Sequence, residues 1–151
     1  MQAITIYYPW CYLWLMDIKI YETRTRGVRC NLPTELIVHC AKQKPNQAAK
    51  QLADKYLGFD FKPDYGHLIG ICILIDTVKM TPKFIQSQST QESKLGIWQP
   101  NRIAWQATKK RLFDVPIPAV GKQATPWKLS DELIKLVKQN HSNSKTIQIH
   151  N

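Results

Sequence analysis

The run His67-Leu68-Ile69-Gly70-Ile71-Cys72-Ile73-Leu74-Ile75-Asp76-Thr77-Val78 restricts this chain more than any other stretch. It is the most apolar segment present, rich in β-branched residues and far too short to cross a bilayer, so it reads as a buried strand. The turn Asp64-Tyr65-Gly66 precedes it, and other short strand patterns surround it. Ile4–Tyr8 and Glu35–Ala41 are apolar, whereas Ile20–Thr25 alternates β-branched or aromatic residues with charged ones. Arg102–Phe113 and Val115–Pro118 read as two further strands, the second Pro-punctuated and therefore at an edge.

Three segments carry helical patterns. After Pro9, Trp10, Leu13 and Trp14, with Met16 as a further candidate, can line one side of a helix of about two to three turns. Between Asn46 and Leu57, residues Ala49, Leu52, Ala53 and Tyr56 recur at helical spacing, and Gly58 supplies a C-terminal cap. Ser130 caps a helix through about Gln139, with Asp131 and Glu132 at the positive end of its dipole. The polar, Ser/Gln-rich stretch Lys79–Asn101 reads as a long loop. Several short strands, two to three helices and no alternating βαβ pattern predict an α+β domain built on a closed or nearly closed barrel. Residues 1–140 form the expected single domain, and 141–151 a flexible tail or late edge strand.

Charge speaks to partners. Lys and Arg number 21 against 11 Asp and Glu, a formal net charge of +10. Phosphate polymers are the commonest partners of such domains. Only Lys109-Lys110-Arg111 form a basic run, so any patch must be assembled by folding. Cys11, Cys30, Cys40 and Cys72 lack CxxC or CxxH spacing, which argues against a zinc site, and no cofactor motif is visible. The stretch Tyr7–Met16 lacks the basic leader and cleavage site of a secretory signal, so the expected setting is cytoplasmic and reducing, with no membrane partner and the thiols buried. Five Trp and six Tyr are a large aromatic stock for this size; some must fill the core, and barrels that bind bases also use exposed rings for stacking.

Read in order, four segments resemble the ASCH family of the PUA-like superfamily. They are Pro9-Trp10 with its helix and then Lys19-x-x-Glu22-x-Arg24; the strand Ile37-Val38-His39-Cys40-Ala41; the Gly-bounded strand Gly66–Asp76; and Ala104-Trp105 followed by Pro116-Ile117-Pro118, Gly121-Lys122-Gln123 and Trp127. The likeness covers roughly residues 3–129. It implies a PUA-like β-barrel of about six strands with flanking helices, a cleft beside the first helix, and RNA or a nucleotide-like ligand.

The residues themselves allow this chemistry. Glu22 and Arg24 are two apart on an extended segment and leave the same face, close to Lys19 at a helix end. Lys19 and Arg24 can hold phosphates or a carbonyl, while Glu22 accepts from an amino or imino group of a base. Trp10 is a stacking candidate. His39 lies in an apolar strand, where a lone histidine is more often a hydrogen-bonded core residue, and in the family that strand passes the cleft. Lys122 and Gln123 follow Gly121 in a turn and are divided evenly between turn chemistry and ligand contact. Trp98 and Arg102 either extend a binding surface or anchor the loop.

Catalysis is a separate question. Some relatives of the family are acetylcytidine amidohydrolases in which a Lys activates a Thr three residues later. Here that position holds Glu22, and Thr23 points to the opposite face of a strand, so the triad does not carry over. A metal-independent hydrolase, acting on a modified nucleoside or as a ribonuclease on single-stranded RNA, stays open with Glu22 as general base and Lys19 or Arg24 stabilising an oxyanion. A third reading is an interaction module for an acidic protein, although nothing indicates a protein partner. Binding of RNA or a nucleotide ranks first.

Overall fold

A strand whose two faces are both apolar must be covered on both sides, and the strand Thr34–Cys40 shows how this chain does it. The computed structural model describes residues 1–123 and 126–148, the last eight by backbone alone. Strands β1 (Gln2–Ile6), β2 (Tyr21–Arg24), β3 (Thr34–Cys40), β4 (His67–Lys79), β5 (Ile103–Pro118) and β6 (Trp127–Lys128) form one mixed sheet in the order β2-β5-β4-β3-β1-β6. The β1–β3 pair is parallel and the others are antiparallel. Helix α1 spans Trp10–Leu15, α2 Gln47–Leu57, α3 Pro82–Gln86, α4 Thr90–Leu95 and α5 Asp131–Gln148.

Leu36, Val38 and Cys40 of β3 face a core shared with Ile4 and Ile6 of β1 and with Tyr12, Trp14 and Leu15 of α1. Ile37 faces a second core on the other side of the sheet, with Ala3, Leu68, Phe113, Ile117 and Val137 of α5. Along β4 the inward parity changes between Ile69 and Ile71, where the ladder also shifts register. Gly70 stands at that change because a Cβ there would lie 2.4 Å from the Arg111 carbonyl oxygen and 2.7 Å from a Leu15 methyl.

The expected closed barrel is not formed. β2 pairs only with β5, and β6 only with β1, so the sheet keeps two edges among the described residues. It curls nonetheless. In a flat sheet β2 and β1 would stand roughly 19 Å apart at the usual strand spacing. Here Arg24 Nη2 of β2 donates to the Thr5 carbonyl of β1 over 2.9 Å. A guanidinium spans the gap where a barrel would have a backbone ladder.

Other expectations change in detail. Residues 79–101 are not a loop, since they contain α3 and α4. Both helices carry caps in the sequence: Thr81 Oγ1 accepts from Phe84 N–H ahead of Pro82, and Ser89 Oγ accepts from Glu92 N–H. The two strands expected over 102–118 are one, β5, with its pairing to β4 interrupted between Leu112 and Ile117, where Pro116 falls. Helix α1 is shorter than expected and buries residues 11–15 on all sides because it fills the inside of the curl. Helix α5 continues past Gln139 to Gln148; residues 149–151 lie outside the described residues. Cys11, Cys40 and Cys72 are buried as expected, whereas Cys30 is exposed. Burial pushes the Cys72 thiol up to about 12. No described helix is long and apolar enough to cross a membrane.

Candidate functional site

The gap between β1 and β2 opens into a hollow of about 490 Å³. Lys19, Glu22 and Arg24 line it together with Trp10, and Lys94 to Ile97 form part of its wall. The two-residue spacing does bring Glu22 and Arg24 to one face, with Arg24 Nε 3.4 Å from Glu22 Oε2. Lys19 joins them from the bend that follows α1, its Nζ 2.5 Å from Glu22 Oε1. Lys19 is 1 % exposed and Glu22 5 %, so the pair is held out of water. Such a pair gains stability only when its remaining polar atoms are also matched. One is not: Arg24 Nε–H is buried and, for want of hydrogen-bond geometry to Glu22, has no acceptor among the described residues.

The backbone that carries Lys19 is held from two sides. Glu92 of α4, itself buried, accepts from Ile20 N–H through Oε1 at 2.6 Å and from Tyr21 N–H through Oε2 at 3.4 Å. From the other side Trp14 Nε1 donates to the Ile20 carbonyl, and Lys110 Nζ lies 2.9 Å from Asp17 Oδ1 and within 3.5 Å of the Lys19 and Ile20 carbonyls. Lys110, read in the sequence as part of a basic run, is thus drawn inward. Gln91 Nε2 adds a bond to the Ile18 carbonyl. Neither Glu92 nor Lys110 was singled out by sequence reasoning. The Ser89-x-x-Glu92 spacing of a capping box was legible, but its carboxylate turns to a segment 72 residues away instead of back to its own helix.

Thr23, the neighbour of Glu22 on β2, also lines the hollow, against the expectation that it faces away from the site. Its hydroxyl accepts from Ile97 N–H at 3.1 Å, and Gly96 sits so close that a Cβ would lie 2.9 Å from Thr23 Cγ2. Trp98 and Arg102 anchor the segment before β5: Trp98 Nε1 donates to the Glu92 carbonyl, and Arg102 donates to the carbonyls of Ile97 and Thr23. Arg102 also reaches the hollow.

His39, Lys122 and Gln123 are not in this hollow. They line another, of about 780 Å³, on the far side of the β1 end, and the two share Thr5 and Tyr7. Trp127 Nε1 donates to Thr5 Oγ1, leaving the Thr5 hydroxyl proton for His39 Nδ1 at 3.2 Å, while His39 Nε2 donates to the Ala119 carbonyl at 2.8 Å. That assignment needs the neutral imidazole. Burial lowers the His39 pKa in the same sense, against the opposing pull of the Ala119 carbonyl. Gly121 lets the loop lie on the ring, since a Cβ there would be 2.4 Å from His39 Cε1. His39 is a satisfied core histidine.

Among the described residues no three His, Cys, Asp or Glu side chains gather as a metal site. A scan against protein-family models gives no match, and neither does a search of curated proteins. Solved structures do match. The crystal structure of ASCH from Zymomonas mobilis superposes with a TM-score of 0.57 at 14% identity, over 91% of this chain and 93% of that one. Two single-substitution mutants of the Zymomonas mobilis protein superpose with TM-scores of 0.56, also at 14% identity and over 91% of this chain. The chain has the ASCH fold.

Proposed function

We propose that this ASCH-fold protein binds RNA or a nucleotide-like ligand in the hollow between β1 and β2, with Lys19, Glu22 and Arg24 as its recognition group. The observation that carries the reading is that Lys19, Glu22 and Arg24, paired with one another, line a single hollow together with Trp10. The Arg24 side chain is partly exposed and lines the hollow, and its guanidinium is well shaped to hold a ligand carbonyl or phosphate oxygen seated there. Glu22 presents the only carboxylate in the lining and suits an amino or imino group of a base. The positive charge of the whole chain draws a phosphate polymer toward it.

Binding is favoured over turnover by the same contacts. Glu22 Oε1 is engaged by Lys19 Nζ, and the Thr23 hydroxyl by Ile97 N–H, so neither is presented as a free base or nucleophile.

The test is binding of short single-stranded RNA at two salt concentrations by the wild type and Arg24→Ala, with product analysis of the same samples. The expected result is salt-sensitive binding that Arg24→Ala weakens at least about tenfold, equivalent to about 1.4 kcal/mol. No binding by the wild type at low salt overturns the reading. Cleavage products would move the protein to the hydrolases.

A further inference from the structure

Most aromatic rings of this protein are already occupied by the protein itself. Trp14, Trp98, Trp105 and Trp127 each donate the indole N–H, to Ile20, Glu92, Arg26 and Thr5 respectively. Tyr8, Tyr12, Tyr21 and Tyr65 pack ring against ring, and Tyr56 lies beneath the Lys55 ammonium. Tyr7 and Trp10 differ. Among the described residues neither side chain makes a hydrogen bond or a ring–ring contact; Tyr7 is 48% exposed, and Trp10 is partly buried with one side against the first core.

These two rings stand where three hollows meet. Tyr7 lines the hollow between β1 and β2, the hollow over His39, and a third of about 350 Å³ that runs toward the start of α2. Trp10 lines the first and the third. Each hollow is of the size that takes a small molecule. Cations are spread among them: Lys94 in the first, Lys44 in the one toward α2, Lys42 and Lys122 in the one over His39. None of the four has a carboxylate partner among the described residues, and Glu22 is the only acidic residue lining any of the three.

We infer that a single strand of RNA crosses the protein at Tyr7. One nucleotide enters the hollow of Lys19, Glu22 and Arg24; its neighbours stack on Tyr7 and Trp10, and their phosphates run past Lys42, Lys44 and Lys122. This rests on the proposed function and adds to it a path of about four nucleotides or more. One exposed ring and one partly buried ring beside it, between cation-lined hollows, match unstacked bases on a charged backbone. A duplex keeps its bases stacked and has no use for the rings. An acidic protein would use the lysines but not the alternation of ring and hollow.

The experiment compares a mixed-sequence single-stranded RNA octamer with the four ribonucleoside monophosphates. It uses the full chain as wild type, Tyr7→Ala, Tyr7→Trp and the triple variant Lys42→Ala/Lys44→Ala/Lys122→Ala. The wild type is expected to bind the octamer at least about tenfold tighter than any monophosphate. Tyr7→Ala should lose about tenfold of octamer affinity and Tyr7→Trp should keep it. The triple variant should reduce the slope of log affinity against log salt by about 2, the contribution of three phosphates on a single strand. All the substituted residues lie outside the two cores, so circular dichroism should match the wild type. If monophosphates bind as tightly as the octamer, or Tyr7→Ala binds it unchanged, the path is wrong while the proposed function stands. If neither probe binds, both fall. Displacement of the octamer by polyglutamate as effectively as by RNA overturns the path in favour of an acidic protein partner.

Discussion

The two hollows that share Thr5 differ in how far their buried polar atoms are matched. In the one over His39, the ring has both nitrogens bonded, Thr5 Oγ1 takes the Trp127 N–H, and Gly121 closes on the imidazole. In the one between β1 and β2, three buried or partly buried charges meet, and Arg24 Nε–H has no acceptor. A network with every atom matched holds a fold together, whereas a buried polar atom without a hydrogen bond is a cost the fold carries. By that criterion His39 fits the core role that its apolar strand already favoured, and Arg24 is the residue left with a buried polar atom unmatched.

The strongest way to break this comparison is Glu22→Ala. It leaves Lys19 and Arg24 facing each other without a counter-charge, and removal of one partner from a buried ionic cluster costs about 3–5 kcal/mol. Urea denaturation should show a loss of that order; a loss below about 1 kcal/mol would mean the charges are solvated and the contrast is false. Gly121→Ala should cost about 1–3 kcal/mol by forcing the loop off His39. An unchanged denaturation midpoint would show that the packing over the ring is loose.

A smaller effect follows from acid. His39 has a folded pKa below its ordinary value of 6.5, chiefly because it is buried. The unfolded chain therefore takes up the proton first as pH falls. Its stability contribution is complete above about pH 6.5 and is lost as pH drops from there through the depressed folded pKa. Wild type and His39→Gln, compared by thermal denaturation between pH 7.5 and 5 (about the range of imidazole titration), should differ in slope. Parallel curves would remove His39 from the account. Smallest of all, Lys94→Ala should lower the salt slope of RNA binding by about 0.7, one phosphate on a single strand, with little change in stability. A slope identical to the wild type places Lys94 off the ligand path.

Some of this was legible because it is local. The period of two along β2 put Glu22 and Arg24 on one face before any tertiary contact was known. Helix α2 was readable from its apolar spacing, its Asn46 cap and Gly58, all within a few residues of one another. The polar composition of 79–101 hid α3 and α4, although Thr81-Pro82 and Ser89-x-x-Glu92 both announce helix starts. That was a misread signal. The role of Glu92 was a different matter, because nothing near it in the chain indicates that its carboxylate caps Ile20 and Tyr21.

The sequence by itself determined most of the strands, three of the helices, the strongly basic character and the shared face of Glu22 and Arg24, since propensity, periodicity and charge are properties of neighbouring residues. Only the tertiary structure decided that the sheet curls without closing, that Arg24 reaches Thr5 across the gap, and that His39 and Lys122 fall in a separate hollow from Lys19. Those outcomes depend on how α1 fills the inside of the curl and α5 covers its outer face, and on which buried polar atoms then find partners. Both are sums over contacts between residues far apart in the chain, and no local pattern records them.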